Sequence, residues 1–219
     1  MITRIIHQSW KVSNLSGSPF KKEWQETWQN QPGWEYRFWT DEDLLEFVRE
    51  EFPDFLDVYE EYHQPIQRPD SARYLILKRI GGFYSDLDNI RLKDLNSLVE
   101  NIGDRFMISK EADPAAPNTY GNSIMYSNPN PEFLDDIEKA FRKSRHRGVL
   151  DSSACRFITR RIEAGRAGQI YSPDSKLLFP CWWADPKKEI YQKMSIEELR
   201  LQFPEAYNFS YWTHSWKEQ

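Results

Sequence analysis

The sequence predicts an α/β fold, a central sheet flanked by helices. Three observations carry this reading. Short apolar or alternating runs recur at residues 2–7, 35–39, 83–86, 106–109 and 123–127, each of strand length. Stretches with apolar side chains at helical spacing lie between them. Gly, Pro, Ser and Asn mark the boundaries, and no repeat or linker divides the 219 residues, so a single domain over 1–219 is expected.

In chain order, residues 2–7 are β-branched and apolar, as a short buried strand requires, and residues 13–19 form a Ser/Gly/Asn/Pro loop. Trp24 and Trp28 stand one helical turn apart in a helix predicted over 21–31. Residues 35–39 alternate polar and aromatic side chains, the pattern of a second strand. Thr40 followed by acidic Asp43 is a capping pattern, opening a helix that runs to 52. A shorter helix follows over 53–62. The stronger helix spans 69–80: Pro69 at its entrance, Ala72, Leu75, Ile76 and Ile80 on its apolar side, and Gly81-Gly82 as its stop. A strand over 83–86 ends in acid, and 106–109 and 123–127 are further strands. Helices are predicted at about 131–145, 153–165 and 196–203, and a last strand at 208–213.

Composition narrows the function. With 29 Lys+Arg against 34 Asp+Glu the net charge is −5, and no basic block suits a nucleic-acid backbone, so no nucleic-acid partner is expected. No apolar run approaches the roughly 20 residues of a membrane span. The start, Met1 to His7, turns polar too soon for a signal peptide. Two cysteines, Cys155 and Cys181, make no disulfide framework and suggest a reducing, cytoplasmic location. Aromatic residues reach 15% of the chain although hydrophobic residues total only 39%, so large rings either fill the core or line a site.

The most informative stretch runs from Asp70 to Asp88. Asp86 and Asp88 flank Leu87 after an apparent strand, and in extended backbone they would share one face. Two carboxylates so placed need a cation between them or solvent to screen them, and oxygen ligands suit Mg2+ or Mn2+. The same pattern also occurs as an ordinary strand end. Leu87 would point inward and anchor the loop. Asp70 and Arg73, three apart, either form an N-cap and a surface ion pair or reach the same cleft. His214 is either a third metal ligand or a histidine among tail aromatics. His7 and Trp10 after the first strand would ordinarily be core residues.

Taken together, these pieces resemble a known family. Ile5-Ile6-His7-Gln8-x-Trp10, then Trp24, Pro32-Gly33-Trp34-Glu35-Tyr36, Asp70-x-x-Arg73-Tyr74 and Gly81-Gly82-x-Tyr84-x-Asp86-x-Asp88 are similar to the DxD sugar transferases of glycosyltransferase family 32. That family includes fungal mannosyltransferases and bacterial capsule enzymes, and the glucosylating toxins share its core pattern. The likeness covers residues 2–92 and returns at His214-Ser215-Trp216. Residues 110–175 depart from it, with Ser152-Ser153-Ala154-Cys155 where such enzymes often carry Thr-Gly-Pro.

The resemblance implies a GT-A fold, a single domain with a Rossmann-like mixed central sheet flanked by helices. It implies a nucleotide-sugar-binding part at about 1–110, an acceptor-side part at about 111–206 and an active-site tail at about 207–219. It further implies a divalent ion, Mn2+ or Mg2+, on Asp88 and His214 with Asp86 assisting. Asp70 and Arg73 would hold the donor sugar or its phosphate. Trp10 would stack on the nucleobase, with His7, Tyr74, Ser215 and Trp216 also on the nucleotide sugar. The reaction implied is retaining hexosyl transfer from a nucleotide sugar, UDP-linked or GDP-mannose, to a glycan or lipid-linked saccharide, with peripheral membrane contact. Trp182 and Trp183 are candidates for the acceptor side. Three other readings stand beside it: a phosphohydrolase using the Asp-x-Asp pair, which Asn89-Ile90 does not suit, a glycosidase, and a non-catalytic sugar-binding module.

Overall fold

The computed structural model describes residues 2–100 and 102–213. Eight strands occur among them: β1 (Ile5–Ser9), β2 (Glu35–Trp39), β3 (Gly82–Ser85), β4 (Asn89–Arg91), β5 (Phe106–Lys110), β6 (Tyr120–Ser127), β7 (Ile170–Tyr171) and β8 (Asn208–Ser210). The helices are α1 (Lys22–Gln29), α2 (Asp41–Glu51), α3 (Leu56–Glu61), α4 (Gln67–Arg79), α5 (Asn96–Val99), α6 (Ile137–Ser144), α7 (Val149–Ser152), α8 (Cys155–Arg161), α9 (Ser175–Leu178), α10 (Lys188–Tyr191) and α11 (Ile196–Gln202).

Six strands form one mixed sheet in the order β2-β1-β3-β6-β5-β7, and β4 pairs with β8 in a second, two-stranded sheet. β1 runs parallel to both β2 and β3, whereas β6 runs antiparallel to β3 and β5. The carboxyl ends of β1, β2, β3 and β5 therefore meet at one edge of the sheet, together with the start of β6. Loops at that edge bind ligands in open α/β sheets.

Local chemistry explains the elements that position this edge. Thr40 and Asp43 close a capping box at α2, Asp43 N–H donating to Thr40 Oγ1 at 3.1 Å and Thr40 N–H to Asp43 Oδ2 at 2.8 Å. α4 is buried continuously from Asp70 to Leu77, because it lies against the sheet and beneath α2 and α3. It ends where Gly81 takes φ +73° and donates to the Leu77 carbonyl at 3.1 Å. At Gly82, with φ +100°, a Cβ would lie 2.5 Å from the Ile5 carbonyl oxygen, so only glycine lets β3 approach β1.

The core packs on both sheet faces. Phe47, Tyr74, Phe106, Phe133, Phe141 and Phe157 fill the α4 side, and Trp28, Trp34, Phe83, Tyr126 and Phe179 the other. A third cluster gathers Trp24, Leu199, Phe209 and Tyr211 around the small sheet, where Trp24 stacks on Tyr211 at 4.0 Å. Most of the aromatic excess is thus architecture.

Some boundaries differ from expectation. α4 begins at Gln67, and Asp70 N–H donates to the Ile66 carbonyl at 3.1 Å, so Asp70 lies inside the helix and is no N-cap. The Asp86-Leu87-Asp88 segment is a turn joining β3 to β4, closed by Asn89 N–H to the Asp86 carbonyl at 3.2 Å, rather than extended chain. Leu87 is buried as expected. The last strand stops at Ser210, since Trp212 takes φ 51°. β4, β7 and four helices of four residues each were not predicted.

Candidate active site

A cavity of about 520 Å3 opens at the ligand-binding edge, lined by Trp10 after β1, Asp70 and Arg73 of α4, and Asp86 and Asp88 after β3. Arg73 is its organising charge. Its Nη2 lies 2.8 Å from Asp70 Oδ1 and 3.2 Å from Asp86 Oδ1, and its Nη1 donates to the Asn122 carbonyl at 2.8 Å. The guanidinium covers the Tyr84 ring at 4.7 Å, and the Tyr84 hydroxyl bonds Ser9 Oγ at 2.8 Å. Buried Asp70 also accepts from Ser153 Oγ at 3.4 Å. Asp70 and Arg73, one turn apart, thus reach the cleft rather than forming a surface pair.

Main-chain bonds fix the Asp-x-Asp turn. Asp86 N–H donates to the Ser123 carbonyl at 2.8 Å, and the Asp86 carbonyl accepts from Gln8 Nε2 at 3.2 Å. Asp88 is anchored from the tail: its carbonyl accepts from Tyr211 N–H at 2.8 Å, and its Oδ2 accepts from Thr213 N–H at 2.9 Å and Thr213 Oγ1 at 3.1 Å. The small β4–β8 sheet holds this arrangement, because Asn89 pairs with Ser210 directly beside it.

The electrostatics show a surplus of negative charge. Burial, with Asp88 and Asp70 nearby, pushes Asp86 up to about 7 against the pull of Arg73. Burial also raises Asp70, again opposed by Arg73. Arg73 is itself opposed by burial but held charged by Asp86, Tyr84 and Asp70. Two carboxylates, Asp70 and Asp86, thus face one guanidinium with Asp88 adding negative charge beside Asp86, and the donors are all oxygen, a chemistry that fits a hard divalent cation. Among the described residues no three His, Cys, Asp or Glu side chains converge as a metal cage. The Asp86–Asp88 pair therefore fits an ion that retains water and substrate oxygens, as Mg2+ and Mn2+ do.

Other expected residues fall elsewhere. His7 is fully buried in β1, its Nε2 2.9 Å from the Gly81 carbonyl and its Nδ1 accepting from Trp39 Nε1 at 3.1 Å, so it does not line the cleft. Tyr74 is also fully buried, its ring packed against Phe106, Phe141 and Phe157 on the sheet side of α4. Neither His7 nor Tyr74, expected on a nucleotide sugar, is among the residues lining the cavity. Trp10 does line the cavity, half-buried, edge-on to Phe20 at 4.8 Å. Trp183 lines it and Trp182 does not. His214, Ser215 and Trp216 lie outside the described residues.

Glu111, Asp113, Asn122 and Ser123, all in the cavity wall, were not among the residues expected from the sequence. Asn122 Nδ2 and Ser123 Oγ are buried there without a hydrogen-bond partner among the described residues. Glu111-x-Asp113 did carry a signal, since it repeats at the end of β5 the acid spacing found after β3.

Solved structures of similar fold are glycosyltransferases. GlyE of Streptococcus pneumoniae superimposes over 98% of this chain and 55% of its own, with TM-score 0.55 at 12% identity. The PaToxG glycosyltransferase covers 76% of this chain and 71% of its own, with TM-score 0.53 at 19% identity. The fold is of the GT-A class.

Residues 18–105 match the family described as "Glycosyltransferase sugar-binding region containing DXD motif". A glycosyltransferase of Acanthamoeba polyphaga mimivirus is 30% identical over 189 residues, 83% of this chain and 74% of that protein. The chain belongs to this DXD-containing glycosyltransferase family. Mannosyl phosphorylinositol ceramide synthase of Saccharomyces cerevisiae is 43% identical over 89 residues, 41% of this chain and 23% of that protein. Inositol phosphoceramide mannosyltransferase 1 of Schizosaccharomyces pombe is 31% identical over 153 residues, 67% of this chain and 44% of that protein. The match to these yeast relatives thus spans about a quarter and under half of their lengths.

Proposed function

We propose that the chain is a metal-dependent glycosyltransferase that moves a hexose from a nucleotide sugar to a glycan or lipid-linked saccharide, with retention of configuration. The observation that carries this reading is the Asp70–Arg73–Asp86 chain of charge beside Asp88 in one cavity. Asp86 and Asp88 would hold Mn2+ or Mg2+, completed in this reading by His214. A divalent cation there supplies Lewis-acid compensation for the charge that develops on the departing nucleoside diphosphate.

The chain's own side chains do the rest. Asp70, fixed by Arg73 and Ser153, accepts hydrogen bonds from donor-sugar hydroxyls. Arg73, preorganised by its two carboxylates and the Asn122 carbonyl, faces the sugar or its phosphate without needing to reorganise. Trp10 offers its ring to the nucleobase, and the Lys11 ammonium 5.5 Å from that ring brings positive charge to the same end. Trp216 is proposed to close over the diphosphate and exclude water, and Ser215 to donate to the phosphate or the metal.

UDP-sugars are the favoured donors. GDP-mannose stands beside them, because one relative is named a mannosyl phosphorylinositol ceramide synthase and another an inositol phosphoceramide mannosyltransferase. The family match favours transfer over the phosphohydrolase, glycosidase and sugar-binding-module readings. A single domain and a cytoplasmic, reducing location, with peripheral membrane contact, complete the proposal. Both cysteines are free, and among the described residues no helix is long and apolar enough to cross a membrane.

Incubation with UDP-glucose, UDP-galactose, UDP-N-acetylglucosamine and GDP-mannose in Mn2+, reading free nucleoside diphosphate, tests this proposal. Turnover of one of these donors is expected, together with its loss in excess chelator. Turnover of none, or turnover indifferent to the chelator, would contradict the proposal.

A further inference from the structure

The sheet order separates the two ends of the cavity. β1, which delivers Trp10, and β5, which delivers Glu111, lie on opposite sides of β3 and its Asp86, with β6 between β3 and β5. If the nucleotide lies on the β1 side, the β5 side is what remains for a second substrate.

Three groups stand at that end. Trp183 is 45% exposed, and its indole Nε1 donates to Asp113 Oδ2 at 3.0 Å. Asp113 is buried and also accepts from Ala115 N–H at 2.8 Å, so the carboxylate clamps the indole edge rather than serving a ligand. Glu111 is half-buried, and its carboxyl has no hydrogen-bond or ion-pair partner among the described residues. Its stem lies along β6 at Gly121, where a Cβ would come 3.0 Å from Glu111 Cγ and 2.6 Å from the Phe179 ring. The glycine therefore makes room for this side chain at the cavity wall.

Glu111 also belongs to the same electrostatic neighbourhood as the sugar-holding carboxylate. Asp70, Glu111 and Cys155 all line the cavity, and both carboxylates add to the rise that burial imposes on the Cys155 thiol. Burial together with Asp113 pushes Glu111 up to about 7. A carboxyl left without a partner in a cavity is costly, and a hydroxyl donor supplied by a ligand removes that cost.

We propose that Glu111 and Trp183 form the acceptor subsite and that it takes an uncharged polyhydroxyl ring, a hexose or a cyclitol. This rests on the glycosyl-transfer reading above. The ring lies with its C–H face on the indole of Trp183, which Asp113 holds at a fixed angle. Glu111 accepts hydrogen bonds from the ring hydroxyls and so positions the ring for attack on the donor sugar bound at Asp70 and Arg73. The pair of carboxylates, Glu111 and Asp113, repels a phosphate or carboxylate carried on that ring, so an anionic group on the acceptor must lie outside this subsite.

Saturation-transfer NMR with the Mg2+-loaded protein separates this inference from the reading beneath it. The probes are methyl α-D-mannopyranoside and myo-inositol, with mannose 6-phosphate as the anionic control and UDP and GDP as the nucleotides. The wild type is expected to bind a neutral probe at millimolar concentration and to reject mannose 6-phosphate. Glu111→Gln and Trp183→Ala should each weaken the neutral probe about tenfold, close to 1.4 kcal/mol, and leave nucleoside diphosphate affinity unchanged. Nucleotide binding without saccharide binding, or saccharide binding equal in wild type and both variants, would overturn the subsite. Failure of the wild type to bind either nucleotide would overturn the glycosyl-transfer reading itself.

Discussion

Both ring nitrogens of His7 are engaged inside the sheet. Because Nδ1 accepts from the Trp39 indole N–H, Nε2 carries the proton and donates it to the Gly81 carbonyl. Burial lowers this imidazole from 6.5 to about 4, so the folded chain keeps it neutral where the unfolded chain would charge it. The resulting stability is complete above pH 6.5 and is lost as the pH falls toward 4, roughly 3 kcal/mol in all. The raised acids Glu111 and Asp86 act with the opposite sign, but they are present in both proteins when wild type is compared with His7→Gln. The wild-type melting temperature should therefore fall more steeply than the variant's between pH 6.5 and 4. Parallel profiles would show that His7 does not resist protonation. Its burial was legible in the sequence, where a histidine in an apolar strand is ordinarily a core residue, and only the family resemblance drew it toward the site.

At the scale of the element, the junction of α4 and β3 governs how the site is assembled. Gly82 lets β3 lie against β1, which sets Asp86 beside Arg73. Gly82→Ala would push a methyl to 2.5 Å from the Ile5 carbonyl at φ +100° and should cost about 2–4 kcal/mol. Chemical denaturation measures this, and a variant within about 0.5 kcal/mol of wild type would mean that the strands separate easily. Elements with strong local signals were legible: the Thr40–Asp43 box sets the start of α2, and residues 35–39 form β2 as their alternation indicates. β4 and β7, of three and two residues, were not, because they have no room for periodicity and exist through distant partners, Asn208–Ser210 for β4 and β5 for β7. The spacing of Asp86 and Asp88 was legible, but a turn rather than an extended strand brings them together.

Across the whole molecule, one sheet edge collects groups from widely separated parts of the chain. Trp10, Asp70, Asp86, Glu111, Trp183 and Thr213 all line a single cavity. The portion from Trp10 to Asp88 was visible in order along the sequence, since Asp70 and Arg73 share a helical face and the aspartates follow the next strand. Glu111 was not grouped with it, because only the order β3-β6-β5 brings the β5 end alongside Asp86, whereas Trp183 was already expected on the acceptor side. Asp88 joins two regions of the chain, held by Tyr211 and Thr213 from the tail and facing the cavity beside Asp86. In the proposed function this carboxylate pair supports metal-dependent cleavage of a nucleotide sugar. The most direct measurement is nucleoside diphosphate release from the turned-over donor in Mn2+, comparing wild type with Asp88→Ala. Release is expected to fall to the no-enzyme rate in the variant while its melting transition remains cooperative; full release by Asp88→Ala would rule out this role of the pair.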